Sequence, residues 1–343
     1  MAQLLALEWD QFEARVVVAQ QRGDDVRIED AFSVSLAPRD PGQTFADTDV
    51  GKRLESALSA RHVNKAETLV AVGRSSIELR RLTLPPAPEN EWPEIVRFQA
   101  LPQFSNVGED WPIDFFPLET DSGEGTSVLA ATISPQLVKQ ISSTCQAAGL
   151  SPKRMVLRPC AAASLLIHRS GPVAHRVRLF VDLLTDEADL TVLVERDIIL
   201  MRTVRLPAVH DDEENSDALI RSLNGEIRRT IASAQNQLGG ERVGQVILCG
   251  DGDEHREMAK ELSQRLDLPV EHFDPFATLR RSNELKSNPP QRPERFAPLL
   301  GMIADEASAR RHAIDFLNPR KKAAPKRSEE RRVGKECRSR WSP

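Results

Sequence analysis

Hydrophobic residues in this chain fall into short runs that have the length and pattern of β-strands. The chain opens with three such runs, at Leu4–Leu7, Arg15–Ala19 and Val26–Leu36. Three similar runs open the second half, at Val177–Val181, Ala188–Val194 and Ile198–Leu206. In both halves an acidic residue follows the first run, and a short turn leads into the second run. This repetition predicts a duplicated lobe.

Helical patterns follow the strands in each half. Ser134 and Pro135 supply an N-cap and a first-turn proline for a helix that Gly149 ends. In the second half, apolar residues keep helical spacing from Leu219 to Leu238, where a Gly-Gly pair stops the helix. Strands followed by helices, twice over, predict an α/β fold with two sheets and a central cleft.

The same patterns suggest where the chain divides. We predict a first lobe at residues 1–170, a second lobe at 171–313, a basic connector at 314–326 and a terminal tail at 327–343. Inside the first lobe, short apolar pieces bounded by proline predict a small inserted subdomain at about residues 72–132.

Composition narrows the class of protein. Apolar residues make up 40% and charged residues 28%, and the formal charge is -5. Aromatic residues are only 5%, without any Tyr, so neither a basic groove nor a base-stacking surface for nucleic acid is expected. The four cysteines form no CxxC pair, which favours reduced thiols over zinc. Without a signal sequence or an apolar run long enough to span a bilayer, the chain is expected to be soluble.

The last residues break with this composition. From Arg327 the chain reads RSEERRVGKECRSRWSP, which resembles the in-frame translation of a sequencing adapter. We therefore expect the natural sequence to diverge near Lys326. A disordered basic tail is the alternative.

Several motifs, in their order and spacing, resemble the type IV pilus assembly protein PilM family. They are Val72–Ser76, Arg80–Pro86, Val128–Thr132, Ala148–Leu150, Asp182, Glu226–Arg229 and Ile247–Gly252. The cytoplasmic part of the secretion protein GspL and the division protein FtsA are more distantly similar. The resemblance implies an actin-like (ribonuclease-H-like) two-lobe fold with the inserted subdomain in the first lobe. It also implies a cytoplasmic scaffold at the inner face of the membrane, in a type IV pilus or type II secretion platform.

Three loops would hold MgATP in an actin-like ATPase, and here they depart from that chemistry. Phosphate loops need glycine and hydroxyl residues because backbone N–H groups must approach the phosphates closely. The first loop has no glycine and carries Glu8 and Asp10, and the second keeps Asp182 without a following glycine. The third keeps Gly250 and Gly252 around an aspartate. These residues predict a degenerate nucleotide site, no cofactor and no catalysis, with MgATP binding as the less favoured outcome.

Three alternatives stay open for this region. Acidic residues at strand ends commonly cap turns. Glu8, Asp10 and Asp182 together would suit a divalent metal, as in ribonuclease-H-like nucleases, although the acidic balance disfavours a nucleic-acid substrate and we predict no metal site. A sugar-kinase-type ATP-binding enzyme is the competing class. Ser164 and His168 lie on an apolar helix pattern and are interpreted as core or surface residues rather than a nucleophile and its base.

The resemblance also implies a partner. PilM binds an N-terminal peptide of PilN whose signature resembles Ile-Asn-Leu-Leu-Pro, and a similar string stands in this chain at Ile314, Phe316, Leu317 and Pro319. Basic residues follow it. We predict docking as an extended strand, with a PilN-like inner-membrane partner, either separate or fused in cis, and a membrane span beyond Lys326. A frayed helix end is the alternative.

Overall fold

The computed structural model describes most of the chain. The described ranges are 2–23, 25–36, 47–63, 66–105, 107–118, 126–169, 174–207, 213–250, 252–277 and 279–322. The tail predicted at 327–343 lies outside the described residues.

Strands and helices follow the predicted order. Along the chain they are β1 (Ala2–Trp9), β2 (Glu13–Arg22), β3 (Asp25–Ser35), α1 (Asp47–Ala60), β4 (Glu67–Val72), β5 (Ile77–Leu84), α2 (Trp92–Ala100), β6 (Ile113–Leu118), β7 (Thr126–Ile133), α3 (Pro135–Ala147), β8 (Pro152–Leu157), α4 (Arg158–Arg169), β9 (Val177–Leu183), β10 (Glu187–Val194), β11 (Asp197–Arg205), α5 (Glu213–Gln235), β12 (Gln245–Cys249), α6 (Asp253–Leu266), β13 (Val270–Phe273), β14 (Arg280–Arg281), α7 (Asn283–Ser287) and α8 (Ala297–Ala307). Short 3-10 turns lie at Arg74–Ser76, Glu89–Glu91 and Pro293–Phe296.

Two sheets share one topology. The first has the strand order β14-β3-β2-β1-β4-β8 and the second has the order β11-β10-β9-β12-β13. In each sheet the first three strands along the chain are antiparallel neighbours, the fourth pairs in parallel with the first, and the fifth pairs in parallel with the fourth. The duplication predicted from the apolar runs is therefore present at the level of strand order and direction.

Helices α4 and α8 lie between the two sheets. Helix α8 packs on β1, β2, β3 and β4, while α4 contacts strands of both sheets and packs against α8. Gly301 allows this close approach, since a Cβ there would lie 1.9 Å from the carbonyl oxygen of Ala161. One core cluster accordingly includes residues of both sheets, such as Leu5 and Phe180. Helices α5 and α6 close a second core cluster on the second sheet.

A third sheet is inserted between β4 and β8. Its three strands have the order β5-β7-β6, and α2 packs beside β5 and β6. Leu82, Val96, Phe115 and Val128 are among the residues of its separate core. This sheet occupies the part of the chain where the sequence predicted an inserted subdomain.

Local signals placed the ends of helix α3 correctly. The side chain of Ser134 accepts a hydrogen bond from the backbone N–H of Gln136, and Pro135 occupies the first turn. After the helix, Gly149 adopts a φ of 71°, which a residue with a side chain adopts only with strain. Among the described residues, no helix is long and apolar enough to cross a membrane.

Candidate functional site

The predicted cleft lies where turns of the two repeated sheets meet. The β1–β2 turn follows Trp9 and the β9–β10 turn includes Thr185. Arg295 links them, because it donates to the carboxylate of Glu13, just after the first turn, at 3.0 Å and to the Thr185 hydroxyl at 3.2 Å. The same topology in both sheets thus brings equivalent turns face to face.

Asp10 uses the hydrogen-bond donors of its own turn. Its carboxylate oxygen Oδ1 accepts from the backbone N–H of Phe12 at 2.7 Å and from that of Glu13 at 2.9 Å. Backbone N–H groups of such a turn are the donors that would otherwise hold an anion. In this protein they are already satisfied by a side-chain carboxylate.

Arg15 pairs with the acids around this turn. The buried guanidinium donates to three carboxylates, at 2.8 Å (Glu8), 3.1 Å (Asp10) and 2.6 Å (Glu13). Glu8 is itself buried, so its pairing with Arg15 offsets the cost of removing a charge from water. Glu8 and Asp10 are therefore part of an ion network with a cation that the sequence prediction did not include.

Asp182 differs from these acids because its side chain has no hydrogen-bond partner within the described residues. It is 0% exposed, and neither carboxylate oxygen is paired there. Burial, with a further contribution from nearby Asp189, raises the pKa of Asp182 well above its usual range. The structure thus places the predicted Asp182 deep in the cleft, in an environment that favours its neutral form.

Arg158 joins the two lobes at the base of the cleft. It is the first residue of α4, directly after β8 of the first sheet, and it is buried. Its Nε donates to the Asp189 carboxylate on β10 at 2.8 Å, and its Nη2 donates to Glu187 on the same strand. Thr203 donates to the other oxygen of Asp189. The sequence analysis missed Arg158 and Asp189; a charged residue inside an otherwise apolar strand, as at Asp189, was the available signal.

The third predicted loop is covered by a histidine. Gly250 has a φ of 128°, and a Cβ there would lie 2.3 Å from Cδ2 of His255 on α6. The imidazole therefore lies directly over this glycine. Gly252 immediately precedes α6 and lies in the same turn. The open surface that glycines leave beside a bound ligand is here filled by the protein itself.

A cavity of about 470 Å³ lies beside the second and third turns. Its wall includes five carboxylates and two guanidinium groups, from Asp217, Glu254, Glu257, Glu261, Glu294, Arg292 and Arg295. An excess of negative charge disfavours an anionic ligand. No cluster of three or more His, Cys, Asp or Glu side chains suited to a metal ion is found in the described part of the chain.

A nucleotide polyphosphate does not fit these residues. The amide donors of the first turn are taken by Asp10, Arg15 is paired with carboxylates, and His255 covers Gly250. A phosphate placed here would have to displace these partners and would meet a net excess of carboxylates.

A second candidate site holds the string predicted to dock as a strand. Ile314 is 0% exposed and Phe316 is 2% exposed, while Leu317 and Pro319 are half-buried. The backbone N–H of Phe316 donates to the backbone carbonyl of Met155 in β8 at 2.8 Å, and Asp315 forms an isolated antiparallel bridge with Val156. Ile314–Phe316 therefore pairs with the edge strand of the first sheet, and we call residues 312–322 the docked segment.

Two carboxylates anchor the docked segment. Asp114 on β6 is 0% exposed and accepts hydrogen bonds from the backbone N–H of Asp315 and from the backbone and guanidinium of Arg320, each at 2.9 Å. Asp315 in turn accepts from the backbone N–H groups of Met155 and Leu317, both at 3.1 Å. The inserted sheet, the first sheet and the docked segment are therefore joined at one point.

A cluster of histidines and acids fixes the start of the docked segment. Asp305 on α8 accepts from Ser164 at 2.7 Å and lies 2.8 Å from His168 and 3.2 Å from His312. His312 also lies 3.2 Å from Glu306. Ser164 and His168 share one carboxylate oxygen as their partner, which is a packing role for this pair. We call these five residues the histidine cluster.

Two sheets whose first five strands along the chain share one order and direction, a cleft between them and an inserted third sheet define an actin-like fold. The chain is similar to a structure described as the PilM-PilN type IV pilus biogenesis complex, with a TM-score of 0.72 and 21% identity over 89% of this chain and 98% of that one. It is also similar to the cytoplasmic domain of EpsL, an inner-membrane component of the type II secretion system of Vibrio cholerae, with a TM-score of 0.51 and 12% identity over 92% and 98% of the two chains.

No family model matches the sequence, and no curated protein matches it. At these identities the similarity concerns the fold. The predicted actin-like fold is confirmed, and so is the structural resemblance to PilM and to the EpsL cytoplasmic domain.

Proposed function

We propose that this protein is a cytoplasmic component of an inner-membrane assembly platform of the type IV pilus or type II secretion kind. Support comes from the fold that it shares with PilM in a PilM-PilN complex and with the cytoplasmic domain of EpsL. Its role in this proposal is that of a scaffold that binds protein partners at the inner face of the cytoplasmic membrane.

The observation that carries the proposal is the docked segment. Its string Ile314–Pro319 resembles the peptide by which PilN is bound, and it lies beside β8, joined by an antiparallel bridge at Asp315, with two apolar side chains buried. Main-chain hydrogen bonds with alternate side-chain pockets are a general mode of peptide recognition. The partner contact of this scaffold is accordingly made by a PilN-like sequence in the same chain.

The scaffold role in this proposal needs neither nucleotide nor catalysis. The donors and glycines expected of a nucleotide site are used by Asp10, Arg15 and His255, and the adjoining cavity is rich in carboxylates. The cleft is therefore proposed to be a structural remnant of an ATPase site. The sugar-kinase alternative has no particular contact of the described site in its favour.

A complementation experiment tests the partner role. The gene is deleted in its source organism and replaced by wild type, by Phe316→Asp with Leu317→Asp, or by Phe98→Asp as the matched control. Phe98 is 82% exposed on α2, so the same substitution there should leave the fold intact. We expect pilus formation or secretion to be lost with the double variant and kept with the control. Normal assembly in the deletion strain would overturn the proposal.

Thermal unfolding with and without millimolar MgATP tests the nucleotide part. A ligand that binds the folded state raises the apparent stability by mass action. We expect no change in melting temperature and no phosphate release. A rise in melting temperature with MgATP would contradict nucleotide independence while leaving the partner role standing.

A further inference from the structure

Charged and polar side chains from both lobes meet across the cleft. Those that form contacts between the lobes, or hold a turn for such a contact, are Asp10, Glu13, Arg158, Thr185, Glu187, Asp189 and Arg295, which we call the cleft bridge. Its members lie on β2, on the turns before β2 and β10, on β10, at the start of α4 and in the 3-10 turn before α8.

The first part of the bridge fixes the shape of the β1–β2 turn. Asp10 accepts from the amides of Phe12 and Glu13, which are the donors that a bound anion would use. Glu13 is then held in place to accept from Arg295 at 3.0 Å. The same guanidinium reaches Thr185 of the opposite turn, so one cation contacts both turns.

The second part lies deeper and joins the sheets themselves. Arg158 directly follows β8 of the first sheet, and its side chain pairs with Asp189 and Glu187 on β10 of the second sheet. Its side chain is 6% exposed and that of Asp189 is 1% exposed. A buried cation with two carboxylates in good geometry resists separation, because opening the lobes would leave each charge unpaired.

We propose that the cleft bridge replaces a metal-bound nucleotide as the connection between the two lobes, so that the lobes stay closed without any ligand. The residues of the site do not fit a polyphosphate, and the same positions instead carry an internal anion at the first turn and internal cations facing it. This inference rests on one element of the proposed function, namely that the scaffold works without a nucleotide. It does not depend on which machine the protein serves.

Hydrogen–deuterium exchange of the full chain tests the deeper contact. Arg158→Met removes the charge and keeps the length of the side chain. Arg27→Met is the matched control, because the Arg27 side chain pairs with Glu29 on the same strand and its described ion pair lies within the first sheet. We expect at least tenfold faster exchange in the β1–β2 and β9–β10 turns of the Arg158 variant, and unchanged exchange there in the control. Equal exchange in both variants would overturn the proposal.

A second variant tests the first turn and does not depend on Arg158 being replaceable. Asp10→Ala with Glu13→Gln frees the turn amides and leaves Arg15 and Arg295 without these acceptors. We expect inorganic pyrophosphate to raise the melting temperature of this variant and to leave that of wild type unchanged. An unresponsive variant that folds would refute the role of Asp10 as an internal anion. Neither measurement reports on pilus assembly, so each proposal fails separately.

Discussion

Replacing His312 by glutamine should remove a contribution to stability that depends on pH. His312 starts the docked segment, and its two ring nitrogens each lie 3.2 Å from a carboxylate oxygen, one of Asp305 and one of Glu306. Both nitrogens carry a proton only in the imidazolium form. The geometry therefore favours charged His312 between two acids.

The magnitude follows from the pKa of the histidine. Burial alone would lower the pKa of His312, but the hydrogen bonds to Asp305 and Glu306 raise it from 6.5 to about 9. Since the folded pKa is the higher one, the contribution is fully present below pH 6.5 and is lost as the pH rises through about 9. At about 1.4 kcal/mol per pKa unit the contribution is about 3 kcal/mol. The side chain is buried, so solvent screening is weak.

Glu306 sets the lower pH limit of the stabilisation that comes from the same contact. Hydrogen bonding from His312, against the opposing effect of burial, and with a further bond from Arg154, lowers the pKa of Glu306 from 4.5 to about 2. Its contribution is present above pH 4.5 and is lost as the pH falls through about 2. The two contributions share one contact and are not added. Stability from this contact should therefore be greatest between pH 4.5 and 6.5.

Urea unfolding of wild type and His312→Gln at about pH 6 and about pH 10 measures this effect. The difference in unfolding free energy between the two proteins should shrink by about 3 kcal/mol at the higher pH. His272→Gln, at an exposed histidine of β13, is the control and should show no such change. A difference between wild type and His312→Gln that is the same at both pH values would refute the ion-pair explanation.

Three further changes have expected outcomes. Gly301→Ala should lower the unfolding free energy by about 3 kcal/mol, because its Cβ would meet a carbonyl oxygen of α4. Gly225→Ala, where α5 leaves room for a Cβ, should raise the unfolding free energy by up to about 1 kcal/mol. Urea denaturation compares the two variants, and equal effects would contradict the packing argument. Asp182→Asn should stabilise the protein increasingly above pH 3.8, where the unfolded carboxyl ionises and the buried one does not, and melting curves that stay superimposed up to neutral pH would disprove this. Asp114→Ala should expose the peptide bond after Arg320 to trypsin at least about tenfold faster, because each lost charge-assisted hydrogen bond is worth about 1.5–3 kcal/mol; an unchanged cleavage rate would count against the anchor.

Most of the fold could be predicted from the sequence because its signals are local. The runs Leu4–Leu7 and Val177–Val181 lie within β1 and β9, and the cap at Ser134 begins α3. Each of these signals depends on burial of one strand or on hydrogen bonding within one helical turn. Because the second half of the sequence repeats the strand pattern of the first half, the second sheet could be predicted from the first. What the pattern did not contain is the packing of α8 on the first sheet, which depends on contacts between residues far apart in the chain.

The sequence predicted the acidic residues of the candidate site but not the cations that pair with them. Glu8, Asp10 and Asp182 stand at strand ends, where a sequence shows them plainly. Arg15 was included in a predicted strand and Arg158 was not singled out, since nothing local distinguishes a buried guanidinium from an exposed one. The pairing of Arg15 with Glu8 depends on the register of β1 and β2, and the pairing of Arg158 with Asp189 depends on how the two sheets lie against each other.

Asp114 shows why the docked segment is part of the first lobe and not an appendage to it. The described hydrogen bonds to its carboxylate come from Asp315 and Arg320, and the carboxylate is completely buried. Without the docked segment this charge would lose those donors, and an uncompensated buried charge costs about 3–5 kcal/mol. The inserted sheet and the segment therefore stabilise each other. Any peptide that replaced the segment would have to bring its own backbone N–H groups and its own cation to this carboxylate.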